Sequence, residues 1–153
     1  MNGEVLKNVS VYNEKLIFID KKTVHRLVRL ICDHAELSIR SLEFNFVSTE
    51  TIEKINRKYL KHNYATDIIT FDYSDQKNNL DGEIFISFDD AAENSKVYRV
   101  SVDNELLRLI IHGILHLIGY DDTTPAKRKK MKELEDEFVN KFQKFSKGLT
   151  LKK

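Results

Sequence analysis

The sequence predicts an α+β domain, with a small mixed four-stranded sheet packed against several helices, one of them central, buried and carrying two histidines. Three observations predict it. Short runs alternate apolar and polar residues with the period of half-buried strands. Longer runs repeat apolar residues every three or four positions, as amphipathic helices do. The two kinds follow one another in the order β-α-β-α-β-β-α-α-α.

Val9-Ser10-Val11-Tyr12 alternates and reads as a first strand. From Asp20 to about His34, Val24, Leu27, Val28, Ile31 and Ala35 mark one face of a helix. Leu42 to Val47 sets Leu42, Phe44 and Phe46 against Glu43 and Asn45, a half-buried strand. Ser48-Thr49 offers an N-cap for a helix to Leu60, with Ile52, Ile55, Tyr59 and Leu60 on one side. Asp67 to Phe71 and Glu83 to Phe88 are β-rich, and the polar stretch from Ser74 to Asp81, closed by Gly82, makes them a hairpin with a long loop. A short helix runs through Ala91-Ala92-Glu93. A strong helix from about Asp103 to Ile118 ends at Gly119, which suits the left-handed position after a helix. Thr124-Pro125 caps and opens a charged helix over about 125–145. No repeat is visible, so 1–153 is expected to be one domain, with 146–153 as a flexible tail.

A chain of 153 residues is long enough for a hydrophobic core without staples, and its hydrophobic and charged shares, 41% and 32%, are those of a globular protein. Cys32 stands alone, which excludes an intrachain disulfide and points to a reducing, cytoplasmic setting. The first residues hold no apolar run of signal-peptide kind. The most apolar stretch, Leu106 to Ile118, is broken by Arg108, His112 and His116, so no membrane partner is expected. Net charge is only +1, but it is unevenly spread. Residues 62–122 hold 4 basic against 12 acidic side chains, and residues 123–153 hold 10 basic against 4 acidic. A cation site beside a phosphate-binding rim has that distribution, and so has a solvated lysine-rich helix.

The helix from Asp103 to Ile118 is apolar nearly all round, and its exceptions form a stripe. Glu105, Arg108, His112 and His116 are spaced three, four and four apart, on one face. The two imidazoles lie about 6 Å apart along the axis, close enough to share one ion as in H-x-x-x-H zinc helices. Gly113 removes a side chain where a ligand or another backbone approaches. After Gly119 the chain turns into Tyr120-Asp121-Asp122, and a carboxylate folding back there adds an oxygen ligand and leaves a vacancy for water. The competing reading makes both histidines hydrogen-bonded core residues and Asp121-Asp122 a cap for the next helix.

The run from His112 to Asp122, H-G-I-L-H-L-I-G-Y-D-D, resembles the H-G-x-L-H-L-x-G-Y-D-H signature of the YbeY family. Ile55-Asn56, Tyr59 and Thr66 to Phe71 resemble its L-N-x-x-Y-R and T-D-V-L-S-F blocks, and Gly82-Glu83-Ile84 its G-D-I. The likeness runs from about Val9 to Phe142. That family comprises bacterial metal-dependent endoribonucleases linked to small-subunit ribosomal RNA maturation. The resemblance implies a single-strand-specific endoribonuclease acting in 16S rRNA 3′-end maturation and ribosome quality control. It implies one divalent ion, zinc first with nickel, manganese or iron as alternatives, held by His112, His116 and Asp122. Its partners are then RNA and the small ribosomal subunit. Two departures stand out: the third histidine is Asp122, which makes a bound ion a weaker Lewis acid, and the arginine of the upstream block is Leu60.

Further candidates follow. Arg108, one turn before His112, offsets charge on phosphate unless it pairs with Glu105 or a neighbouring carboxylate. Glu83 and Asp67 are candidates for a general base or a supporting carboxylate. Lys127, Arg128 and Lys61 are candidates for holding RNA backbone, and Tyr64 or Tyr73 for stacking a base. Cys32 reads as a buried small hydrophobe, and His25, His34 and His62 lack a second ligand at useful spacing. Two other functions compete. A metalloprotease needs H-E-x-x-H, and Gly113 occupies the glutamate's place. A non-catalytic ribosome-assembly factor would use its metal only to brace the fold.

Overall fold

The computed structural model describes residues 6–60 and 66–151. Its elements are β1 (Val9–Asn13), α1 (Lys21–His34), β2 (Ser38–Val47), α2 (Thr49–Ile55), β3 (Ile68–Asp72), β4 (Asn79–Ser87), α3 (Phe88–Tyr98), α4 (Val102–Leu117) and α5 (Pro125–Phe142). The four strands form one sheet in the order β1-β2-β4-β3. β1 runs parallel to β2 and β2 to β4, whereas β3 and β4 make the expected antiparallel hairpin. The expected order of elements and the mixed sheet are both present.

The period of two sorts the strands into faces. Leu42, Phe44, Phe46, Leu80, Ile84 and Ile86 are buried with Val24, Leu27 and Ile31 of α1 and the apolar residues of α4 in the main core. The opposite face carries Glu43, Asn45 and Glu83, and α2 covers only part of it through Ile52, which packs with Val47 and Ile69. α4 lies very close to the sheet. A Cβ on Gly113 would stand 2.8 Å from Cδ1 of Ile84, and one on Gly82 would strike the carbonyl oxygen of Phe71 and approach Leu117. Gly113 therefore makes room for the sheet's own side chains, not for a ligand.

Two expectations are corrected. The helix drawn to Leu60 stays α-helical only to Ile55 and continues as a wider π turn over Asn56–Leu60. The wider turn shifts the phase, so Tyr59 and Leu60 emerge toward solvent instead of sharing the buried side of Ile52. The tail is pinned as far as Leu151. The backbone N–H of Asp20 donates to Leu149 O at 2.8 Å, and that of Leu151 donates to Phe18 O at 2.9 Å. The Asp103 carboxylate accepts from the N–H groups of Gly148 and Thr150, while Leu149 is completely buried. Leu149 and Leu151 in a short polar stretch give no helical signal, yet the burial of Leu149 and these four bonds hold the segment.

Candidate metal centre

α4 positions the histidines because its other faces have nowhere else to go. Leu106, Leu107, Leu109, Ile110, Ile111, Ile114, Leu115 and Leu117 are all buried, which leaves the stripe of Arg108, His112 and His116 to meet a cleft of about 990 Å³. Thr70 of β3, Asp122 and Glu135 of α5 line the same cleft. The rings of His112 and His116 have centroids 6.0 Å apart and planes inclined at 44°.

Each imidazole is held by one nitrogen. His112 Nδ1 donates to Oε2 of Glu135 at 2.5 Å, and His116 Nδ1 lies 3.4 Å from the Thr70 hydroxyl. With Nδ1 engaged, Nε2 is the nitrogen left to act as a ligand. A carboxylate on the far side of a ligating histidine fixes the ring and raises its basicity. Glu135 has a second cargo: its Oε1 accepts from Arg108 at 3.3 Å, and Arg108 also reaches Asp136 at 2.9 Å.

The charges separate the two rings. Burial opposes protonation of His112, but the hydrogen bond and charge of Glu135, with Asp122 and Asp67, outweigh it and raise its pKa. His116 is lowered by burial and by His112, against the pull of Asp122. Burial raises Asp67, with the charge of His112 opposing, and pushes Glu105 up to about 7 against the pull of Arg108. Asp67 accepts from the Asn94 amide at 3.2 Å.

The third expected ligand arrives by the turn after α4. Gly119 has φ +109°; its N–H bonds to His116 O, and that of Tyr120 bonds to Leu115 O. These paired bonds close the helix and throw the chain back over its own end. Asp121 is spent on the turn, accepting from the N–H and hydroxyl of Thr123 and pairing with Lys127 at 3.5 Å. Asp122 is left at the cleft, where its charge acts on both His112 and His116. It is the exposed member of the three, and Arg128 donates to its carbonyl at 3.3 Å. Among the described residues, no group of three or more histidine, cysteine or acidic side chains stands close enough together to hold an ion as it is. The donor chemistry nevertheless fits a divalent cation: two imidazole nitrogens with their partners in place, and a carboxylate on the bend beside them.

Other candidates are redistributed. Glu83 does not reach the cleft. It lies on the sheet face opposite α4, accepting from the Tyr73 hydroxyl at 2.6 Å, because the alternation that aims Ile84 at α4 aims Glu83 away. Tyr73 goes with it. Arg108 pairs with Glu135 and Asp136 and has no ion pair with Glu105. Arg128 lines the cleft, whereas Lys127 is turned to Asp121. Lys61 and Tyr64 lie outside the described residues. Cys32 is buried, and burial lifts its thiol to about 12.

Sequence reasoning missed Glu135 and Thr70. Glu135 did leave a signal: it interrupts the buried stripe of Met131, Phe138, Val139 and Phe142 on an otherwise charged helix. An acid at an apolar position calls for a buried partner.

Comparison with known proteins places the chain among relatives. The family model described as Endoribonuclease YbeY matches residues 8–143. An endoribonuclease YbeY of Chlorobium limicola is 37% identical over 134 residues, covering 88% of this chain and 92% of its own. One from Parabacteroides distasonis is 40% identical over 118 residues, covering 77% and 82%. The solution structure of a Thermotoga maritima protein superposes with a TM-score of 0.65 at 24% identity, over 90% of this chain and 91% of that one, which supports the fold. With the signature helix, the bend after it and the sheet beneath all matched in one family over most of its length, the chain belongs to the endoribonuclease YbeY family.

Proposed function

We propose that this protein is a metal-dependent endoribonuclease that hydrolyses phosphodiester bonds in single-stranded RNA. Its expected task is 16S rRNA 3′-end maturation and ribosome quality control on the small subunit, in the cytoplasm. One observation carries the chemistry: two imidazoles, each held at Nδ1, share a cleft with Asp122. His112, His116 and Asp122 are the proposed ligands of one divalent ion, zinc first, with nickel, manganese and iron as alternatives. When bound, such an ion supplies Lewis acidity toward a phosphate oxygen and lowers the pKa of its water.

The chain's own residues do the rest. Glu135 orients His112 by accepting its Nδ1–H, which in the neutral ring leaves the Nε2 lone pair for a cation. Arg108, held by Glu135 and Asp136, fixes Glu135 and is not aimed at phosphate. That Arg128 lines the cleft supports it as a cation for RNA backbone, with Lys132, which pairs with Asp136 at 3.8 Å, beside the same cleft. The buried wall of α4 limits water on one side of the reacting group. No described helix is long and apolar enough to cross a membrane, in keeping with an RNA substrate.

The test is a His112→Ala variant. It should remain folded by circular dichroism, lose bound metal by elemental analysis, and lose cleavage of a single-stranded RNA. Undiminished cleavage by a folded, metal-free variant overturns the proposal.

A further inference from the structure

The ion and the phosphate it would meet account for only part of the cleft's lining. Other residues that line it are of a different kind. Tyr98 closes α3 with its side chain 62% exposed, and Arg99 follows in the left-handed conformation at φ +58°. The N–H of Val100 then bonds to Ser95 O at 3.0 Å, turning the chain so that Val100, 37% exposed, joins Tyr98 at the cleft. Leu60 lines the same cleft and is 38% exposed. Asn94 lies one turn before Tyr98 on the same face of α3, and its amide holds Asp67 at 3.2 Å. The one cleft thus carries imidazole, carboxylate and guanidinium groups together with an exposed aromatic ring, two apolar residues and the Asn94 amide.

We infer that the part of the cleft wall formed by Tyr98, Val100 and Leu60 is a nucleobase subsite, in which the base of a nucleotide beside the scissile phosphate stacks on Tyr98. This rests on the RNA reading of the His112 site and extends it to the substrate's bases. The occupant follows from this combination. A nucleotide joins a flat apolar ring to an anionic phosphate, and this cleft carries an exposed ring together with the Arg128 guanidinium. Every base has a π face, so the subsite selects unpaired over paired nucleotides without selecting one letter. A base inside a duplex has both faces covered and cannot offer one to Tyr98.

The experiment uses the full chain with its metal and two probes of equal length. One is a 2′-O-methyl single-stranded oligoribonucleotide and the other an abasic sugar-phosphate strand, with binding read by fluorescence anisotropy. Tyr98→Ala should weaken the base-bearing strand roughly 10-fold and leave the abasic strand unchanged. Tyr98→Phe should keep wild-type affinity for both. Equal weakening of both strands, or of neither, overturns the subsite. If wild-type protein binds neither strand, the RNA reading itself fails and the subsite falls with it. Metal content is the control, and it should be the same in all three proteins.

Discussion

Glu135 shows how much one side chain carries. One carboxylate oxygen takes a proton bond from His112 while the other holds Arg108, so the ring's tilt and the helix-to-helix contact are set together. Glu135→Gln keeps the shape but weakens the pull on Nδ1–H. Zinc affinity by isothermal titration calorimetry should fall roughly 10–100-fold, the range found for partners behind ligating histidines. Unchanged affinity in a folded variant would remove Glu135 from the site. At this scale the sequence was a partial guide. His112 and His116 could be named from their spacing on one helix, and Asp122, among the two carboxylates of the bend, from the resemblance of 112–122 to the YbeY signature. Glu135 could not be paired with His112, since 23 positions separate them and helix spacing says nothing about a partner on another helix. Glu83 was misjudged for a related reason, because a strand's alternation is visible in sequence but not which face the histidines will meet.

Elements were more legible. The starts of α4 and α5 follow their caps: Ser101 accepts from Asn104 N at 3.0 Å and Thr124 from Lys127 N at 3.2 Å. The π turn after Ile55 escaped because its residues suit an α-helix equally well. The tight seat of α4 on the sheet yields a prediction. Gly113→Val drives new methyl groups into Ile84 and Ile68, which are already in contact range. Overpacking of a buried site costs about 1–3 kcal/mol, whereas replacing glycine in a helix returns only a few tenths. Crowding wins, so urea denaturation should show a loss of at least about 1 kcal/mol. Equal stability would mean that α4 can move off the sheet.

For the molecule as a whole, the cleft is a store of charge held at some cost. Glu105 is 2% exposed, its Oε1 has no hydrogen-bond partner, and its pKa is about 7 against an ordinary 4.5. Above pH 4.5 the folded state keeps a proton that the unfolded chain releases. Stability from this group is therefore complete below that pH, is lost as pH rises toward 7, and is level beyond. Glu105→Gln should raise the melting temperature at pH 8 and change it little at pH 4. The shift corresponds to on the order of 3 kcal/mol at most, reduced where cleft water screens the charge. A gain of equal size at both pH values would show that packing, not ionisation, is responsible.

β3 lies at the border of the sheet, and among the described residues no strand lies beyond it. Its residues from Ile68 to Thr70 border the cleft; the Ile68 carbonyl accepts from the Thr66 hydroxyl at 3.2 Å, and the main-chain groups of Thr70 face the same border. Main-chain groups are the same whatever side chains they carry, and they recognise a sugar-phosphate thread by its repeat and not by its letters. A border of this kind grips by count of links, so longer threads should be held more firmly than short ones of identical spelling.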